Sequence, residues 1–402
     1  MKFIKIYLLI FTSIFVFSSC KDYVSNVDPL ISQVKDEDLT TPSQLPFLIK
    51  GVKTRFANAT ERLYVIADGL SDEFFFSQNV PNATFPTFRD IDKGIISLDN
   101  NSVRGPYTAM GQYRFLADNL VERVGKMTIG DASLKNDALF TGYFYGGYAR
   151  FQYATYMGLT ETQGGSPIDG GPFIASAKMY DLAIGKFKEA LKYTTNPATI
   201  RMVNSVIARS YLFKEDFANA VTFAKLGMVN GDPAFTALHN VQQSNYYWTQ
   251  AGRGRTQYVV AYRFKDYVDA DPNEANRIKL FTILGNDGTT IYYMQGKYPD
   301  RESPGIMMTW QENSLMLAEL SLRGQGGAGD ALTLVNEVRA SHSIAPLASV
   351  TLDILYVERD KELFVTANRL PDERRFNKWH LGAGTWQYLP ITNDERNSNP
   401  NL

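Results

Sequence analysis

Tyr246, Tyr247 and Trp248 stand together in the sequence, with Gln242, Gln243 and Asn245 before them and Gln250 after. Aromatic rings offer flat apolar faces at small entropic cost, and side-chain amides both donate and accept hydrogen bonds. Rings and amides in one segment suit a ligand with apolar faces and many hydroxyls, or a peptide. The competing role is core filling by one or two of the three rings. Phe74, Phe75 and Phe76 are consecutive, so a helix cannot bury all of them together, and Phe74 and Phe75 join the candidate binding residues. Glu358, Asp360 and Glu362 carry the carboxylates that glycoside hydrolysis needs in pairs across a cleft. Yet Glu358 and Glu362 are spaced i, i+4 and interleave with Arg359 and Lys361, which predicts a salt-bridged helix face. Arg374 and Arg375 read the same way, as ties between helices. The histidines, His239, His342 and His380, lack metal-ligand spacing. The glycines at 164–165 and 324–329 come without a Walker lysine or a dinucleotide fingerprint. No catalytic residue, metal or cofactor is expected.

A different chemistry marks the start of the chain. Lys2 and Lys5 flank an uncharged apolar run, Ile6 to Phe17, which Ser18 and Ser19 separate from Cys20, the single cysteine. A helical membrane span needs about 20 apolar residues, and a short apolar run with a basic flank and small residues before a cut is a secretory signal. A cysteine directly after the small residues resembles a bacterial lipobox, with Phe17 where leucine is usual, and implies that the Cys20 thiol is diacylated. No other cysteine exists for it to pair with. Each buried methylene contributes about 0.8 kcal/mol, and more than one chain gives stable anchoring. Lys21 and Asp22 resemble part of the surface-export signal of Bacteroidetes lipoproteins. The expected layout is a signal peptide at 1–19, a lipidated tether at 20–40 and one folded domain at 41–402.

These residues need a frame to hold them. With 44% hydrophobic and 21% charged residues the chain can bury a core, and a net charge of −1 gives no general attraction to nucleic acid. Thr41-Pro42 predicts a helix start, and Leu45, Leu48, Ile49, Val52 and Phe56 follow at helical spacing. Residues 77–105, rich in Asn, Pro and Gly, read as a long loop before a helix from about Pro106 to Val124. Further apolar stripes predict helices at 136–159, 176–193, 198–213 and from Phe217, with Gly142, Gly146 and Gly147 permitting close helix approach. Paired helices with recurring small and aromatic positions resemble tetratricopeptide units, a generic bundle being the alternative. Residues 231–306 are loop-rich and aromatic-rich, too long to be idle in a compact domain. Helices resume at 308–323, 330–342 and 351–368. The fold class is mainly α: a tetratricopeptide-like helical scaffold with long aromatic-rich loops.

In the C-terminal third, Glu319-Leu320-Ser321-Leu322-Arg323-Gly324, the helix Ala331 to Arg339, the charged segment Ile354 to Phe364 and Tyr388-Leu389-Pro390-Ile391 before Asn397, Asn399 and Leu402 resemble, in that order, the SusD/RagB outer-membrane lipoproteins. Leu70-Ser71-Asp72-Glu73-Phe74 and the helix bearing Asn119 fit the same pattern. Pro371 interrupts the family's Arg-Trp-type run. The resemblance implies a SusD-like α superhelix on the outer leaflet that captures oligosaccharides, or peptides, and delivers them to a SusC-like TonB-dependent transporter. Two other classes stay open: a scaffold lipoprotein that binds only protein partners, and a surface-anchored glycoside hydrolase.

Overall fold

The computed structural model describes residues 39–402, so the expected leader, Cys20 and most of the expected tether lie outside the described residues. Two units are present, one ending at Leu45 and one spanning Pro46–Leu402. In the first, the helix start expected at Thr41-Pro42 is a 3-10 turn over Pro42–Gln44, and the Thr41 hydroxyl meets Ser43 Oγ at 2.8 Å instead of capping a backbone N–H.

Helix α1 (Leu45–Leu70) leads into the second unit and buries Ile49, Val52, Phe56, Leu63, Ala67 and Leu70 at helical spacing. Strand β1 (Phe74–Phe75), α2 (Pro86–Asp92) and α3 (Asn101–Lys126) follow. The stretch 77–105 is therefore not one loop. Asn100 caps α3, its side-chain oxygen accepting from Ser102 N at 3.0 Å, and Pro106 lies inside the helix rather than at its start. A side-chain cap satisfies an otherwise orphaned N–H, a stronger start signal than the proline.

Next come α4 (Ala132–Tyr156), β2 (Met157–Gly158), β3 (Gly165–Ser166), β4 (Ile174–Ala175), α5 (Ser176–Ala190), α6 (Pro197–Phe213) and α7 (Phe217–Ala224). Successive helices pack in sequence order, α3 on α4, α4 on α5, α5 on α6 and α6 on α7. Helix α4 is the centre of this stack, buried on nearly all sides from Ala138 to Tyr156. Its glycines make that possible. A Cβ on Gly142 would stand 2.6 Å from Val121 Cγ2 and 2.8 Å from the Ala117 carbonyl of α3, and one on Gly147 would stand 2.9 Å from the Phe187 ring of α5. Around α4, Phe56, Tyr145, Tyr148 and Phe235 interlock, with ring centroids of Phe56 4.7 Å from Tyr145 and 5.1 Å from Tyr148.

The 231–306 segment holds β5 (Phe235–Ala237), α8 (Tyr246–Ala251), β6 (Val259–Val260), α9 (Arg263–Ala270), β7 (Leu280–Leu284), β8 (Ile291–Gln295) and, closing it, β9 (Gly305–Met308). A four-stranded antiparallel sheet in the order β1-β6-β8-β7 crosses it. Pairing Phe75 with Val259, Phe281 with Met294 and Ile283 with Tyr292 puts all six on one face, where Val80 and Ala83 complete an apolar cluster.

The chain ends with α10 (Trp310–Leu322), α11 (Ala331–Ser341), α12 (Leu352–Glu362), α13 (Arg369–Arg375), β10 (Leu389–Pro390) and α14 (Asn393–Ser398). The helix expected over 351–368 stops at Glu362, because Val365 and Ala367 take left-handed backbone angles, φ +51° and +62°. Pro371 then sits in the first turn of α13, where its missing N–H costs no hydrogen bond. Among the described residues no helix is long and apolar enough to cross a membrane.

Arginines tie these last helices together. Arg375 Nε and Nη2 lie 2.7 and 2.9 Å from the two Glu319 oxygens, and Arg359 meets Asp372 at 2.6 and 3.0 Å. Arg374 donates to the Gln387 and Thr155 carbonyls at 2.6 and 2.5 Å. Burial opposes the charged forms of Glu319 and Asp372, yet the facing guanidiniums hold both carboxyls below the usual range.

Gly142→Ala is expected to lower stability by about 1–3 kcal/mol, as overpacking does, and a depressed melting temperature by circular dichroism checks it. Gly51→Ala, where an added Cβ meets nothing within 4 Å, is expected to leave the melting temperature unchanged or slightly higher.

Candidate functional site

The site begins with two carboxylates on α1. Glu61, 1% exposed, accepts Asn245 Nδ2 at 2.8 Å on one oxygen and Tyr246 N at 2.7 Å on the other, and His239 Nε2 lies 3.0 Å away. Two turns on, Asp68 Oδ2 accepts the Tyr247 hydroxyl at 2.5 Å and Ala367 N at 3.2 Å. Both acids face the same helix, α8, and clamp its first turn from inside. Asn245 is the N-cap of α8, its side-chain oxygen accepting from Trp248 N at 2.9 Å, while its amide also donates to the Ser303 carbonyl at 3.0 Å. Gly305 leaves the room this needs, since a Cβ there would fall 2.0 Å from Glu61 Oε1.

Helical geometry then divides the aromatic trio. Tyr247 points inward, 1% exposed, stacked 5.2 Å from Tyr298. Tyr246 and Trp248 are left partly exposed on the outer side, each with a guanidinium over its ring: Arg62 at 5.4 Å from the Tyr246 centroid and Arg301 at 4.9 Å from that of Trp248. Asn245 N donates to the Arg301 carbonyl at 2.8 Å, so the helix cap also places that arginine. The chain then turns back over α8. Gly254 N donates to the Trp248 carbonyl at 2.9 Å, and a Cβ on Gly254 would stand 2.7 Å from Thr249 Cα and 3.1 Å from the Trp248 ring. On either side of this glycine, exposed Arg253 lies 4.3 Å from the Phe281 centroid and exposed Arg255 4.3 Å from that of Phe85.

This frame has solved counterparts. No protein-family model and no curated protein sequence matches the chain. Solved structures do. A SusD superfamily protein from Bacteroides thetaiotaomicron aligns with a TM-score of 0.74 at 15% identity, covering 90% of this chain and 98% of that one. A SusD superfamily protein from Bacteroides vulgatus gives a TM-score of 0.72 at 16% identity over 90% and 98% of the two chains. The surface glycan-binding protein A of Bacteroides thetaiotaomicron gives 0.67 at 13% identity, again over 90% and 98%. The chain has the SusD fold.

Within the SusD fold the six candidate binding residues separate into two groups. Tyr247, Asn245 and Phe74 are corrected: all are buried, and they hold the surface rather than face it. Phe74 stacks on Tyr258 at 5.9 Å, and β1 pairing turns it toward the helical core. Tyr246, Trp248 and Phe75 remain partly exposed, Phe75 beside Tyr262 at 5.5 Å on the sheet. The sequence reading missed Arg62, Arg253, Arg255 and Arg301. Gly252-Arg253-Gly254-Arg255, directly after the aromatic trio, was the available signal for two of them. A separate cleft of about 470 Å³, lined by Tyr107, Arg114, Tyr153, Asp169, Thr392 and Glu395 among others, contains none of the candidate residues.

The carboxylates weighed as a hydrolytic pair are engaged elsewhere. Glu358 faces Arg277 at 2.7 Å and Arg339 at 2.6 Å, Glu362 faces His342 at 3.0 Å, and Asp360 faces Arg263 at 2.8 Å. The salt bridges expected on this helix therefore exist, but they are buried and mostly reach other elements instead of running along a solvated face. Of the histidines, His239 meets Glu61, His342 meets Glu362 and His380 meets Glu373 at 2.8 Å, so each is matched to a different carboxylate.

Asp68 and Glu73 hold the strained turn after α12 from below, Asp68 through Ala367 N and Glu73 through Val365 N. Burial pushes Asp68 up to about 7, and Glu73 is raised first by burial and then by the Asp68 charge. A native carboxyl that keeps its proton where the unfolded chain has lost it stabilises the fold below about pH 4, and that contribution is lost as the pH rises through its native value. The melting temperature is therefore expected to fall as the pH rises from about 5.5 through about 7, the value for Asp68. Below about pH 4 the arginine-held carboxylates reverse the trend. Asp68→Asn, which accepts the same hydrogen bonds without ionising, is expected to flatten the fall on the alkaline side, measured by thermal denaturation across pH.

Proposed function

We propose that this chain is a non-catalytic, lipid-anchored protein of the outer-membrane surface. It captures oligosaccharide and delivers it to a SusC-like TonB-dependent transporter. The observation that carries the reading is the division of α8: Tyr247 and Asn245 are spent inward on Asp68 and Glu61, which fixes Tyr246 and Trp248 outward on a rigid support. Rings held by packed neighbours lose little freedom when a sugar stacks on them, so their contact area turns into affinity efficiently. The amides of Gln242 and Gln243 lie beside this surface in sequence and supply donors and acceptors for hydroxyls. The SusD fold supports the same reading, since a structural neighbour is a surface glycan-binding protein. Acylation at Cys20 would tether the domain, and the transporter would receive what it holds.

Titration of the chain with a panel of glycans, read by intrinsic fluorescence and calorimetry, tests this. A saturable response to at least one glycan is expected. Trp248→Ala is expected to weaken that binding by about tenfold or more, as removal of a central aromatic anchor does, with the melting temperature little changed. Tyr247→Phe is expected to do the opposite, costing about 1–3 kcal/mol of stability by leaving Asp68 short of a donor while the affinity stays within a few fold. Silence across the panel, with a stable transporter complex still recovered, would replace this reading with the protein-binding scaffold. Release of cleaved sugars by the purified chain would replace it with the hydrolase.

A further inference from the structure

Resting on that reading of the α8 surface, we infer that the ligand is an anionic oligosaccharide, one carrying carboxylate or sulfate groups, bound by Arg62, Arg253, Arg255 and Arg301. The four arginines come from three segments that meet at α8. Arg62 follows Glu61 on α1, Arg301 is fixed through its carbonyl to the α8 cap, and Arg253 and Arg255 flank the glycine packed on Trp248. Among the described residues none of the four forms an ion pair, and only Arg255 spends a side-chain donor on the protein, on Thr84 Oγ1 at 3.3 Å. Arg209, Arg277, Arg359 and Arg375, by contrast, are all matched to carboxylates. The acids beside Arg301 in sequence do not neutralise it: Asp300 Oδ1 accepts from Glu302 N and Ser303 Oγ, and exposed Glu302 makes no ion pair.

Stacking is what makes these cations useful. A guanidinium lying over an aromatic ring is held in orientation by the ring's negative face, and its in-plane N–H donors stay free at the edge. Two parallel donors match the two oxygens of a carboxylate or sulfate, and such charge-assisted pairs are roughly twice as strong as neutral hydrogen bonds. A neutral sugar would use the rings and leave four cations uncompensated beside it. An acidic glycan would satisfy rings and cations together. Mutual repulsion of the unpaired arginines also favours a polyanion, which lowers the local potential as it binds.

Dextran, dextran sulfate and polygalacturonate separate the possibilities, titrated against the full folded domain at low and high salt, together with the variant Arg253→Gln/Arg255→Gln. Binding of at least one anionic polymer is expected, at least tenfold tighter than dextran, weakened by salt, and reduced tenfold or more in the double variant. The substituted side chains are exposed, so an unchanged melting temperature shows that the variant is folded. Arg253→Lys/Arg255→Lys keeps the charge without the fork and is expected to recover only part of the affinity. If dextran or another neutral glycan binds through Trp248 and the arginine variant binds it equally well, the anionic assignment is overturned and the capture reading survives. If no polymer of either charge binds, the anionic assignment is overturned, and the glycan panel decides the capture reading separately. Binding of polyglutamate with no glycan bound would likewise overturn the assignment, in favour of an acidic peptide.

Discussion

Everything at the candidate surface depends on two acids from one helix. Glu61 and Asp68 project from α1 into the interior, and each is shared by segments far away in sequence: residues 239–246 for Glu61, Tyr247 and Ala367 for Asp68. A buried carboxylate without partners costs several kcal/mol, which makes these partnerships obligatory. The chain thereby commits α8 to one position and one rotation. If α8 rotated by one residue, Tyr247 would lose Asp68 and the outer rings would move inward. The acids act as a positional constraint more than as a source of net stability.

The same logic runs through the C-terminal helices. Arg359, fully buried, pairs with Asp372 while Arg375 bridges Asp372 and Glu319. Arg277 serves Glu274 and Glu358 at 2.7 Å each. Hydrophobic substitutes of similar volume often match such networks in stability. What such a paired network adds is a single acceptable arrangement, because any register shift strands a charge. The left-handed Val365 and Ala367 fit this picture. A β-branched residue at positive φ is strained, and it is held by the Glu73 carboxylate on its N–H and by the Tyr298 hydroxyl, which donates to its carbonyl at 3.1 Å.

The helical frame was legible in the sequence because its signals are local and repeated. Val203, Val206 and Ile207 mark α6 by period alone, and Gly142, Gly146 and Gly147 announced close packing that the α3–α4–α5 contacts display. The sheet was not legible. Its strands are two to five residues long and draw partners from residues 74, 260, 280 and 293, so no window contains a recognisable alternation. The start of α3 was misplaced because Pro106 is conspicuous and the Asn100 cap is not. The fate of the aromatic trio could not be read either. Composition gives three equivalent rings, and only the position of Asp68 on another helix selects Tyr247 for the core.

That selection explains why aromatic content alone is a poor guide to a binding surface. The chain has 23 tyrosines and 25 phenylalanines, and those around α4 are fully engaged with one another. A ring becomes available for a ligand only when its neighbours are already satisfied without it. At α8 this happens because the backbone cap is provided by Asn245, the inward polar contact by Tyr247 and the fold-back by Gly254, which leaves Trp248 with no structural duty on its outer side. The arginines follow from the same vacancy. Elsewhere a guanidinium stacks on a ring while paired with a carboxylate, as Arg369 does over Tyr356 with Asp72, whereas at α8 the nearest acid on α1, Glu61, is turned inward to hold the helix and Arg62 keeps only its ring. Burial of that acid and exposure of those cations are two consequences of one placement.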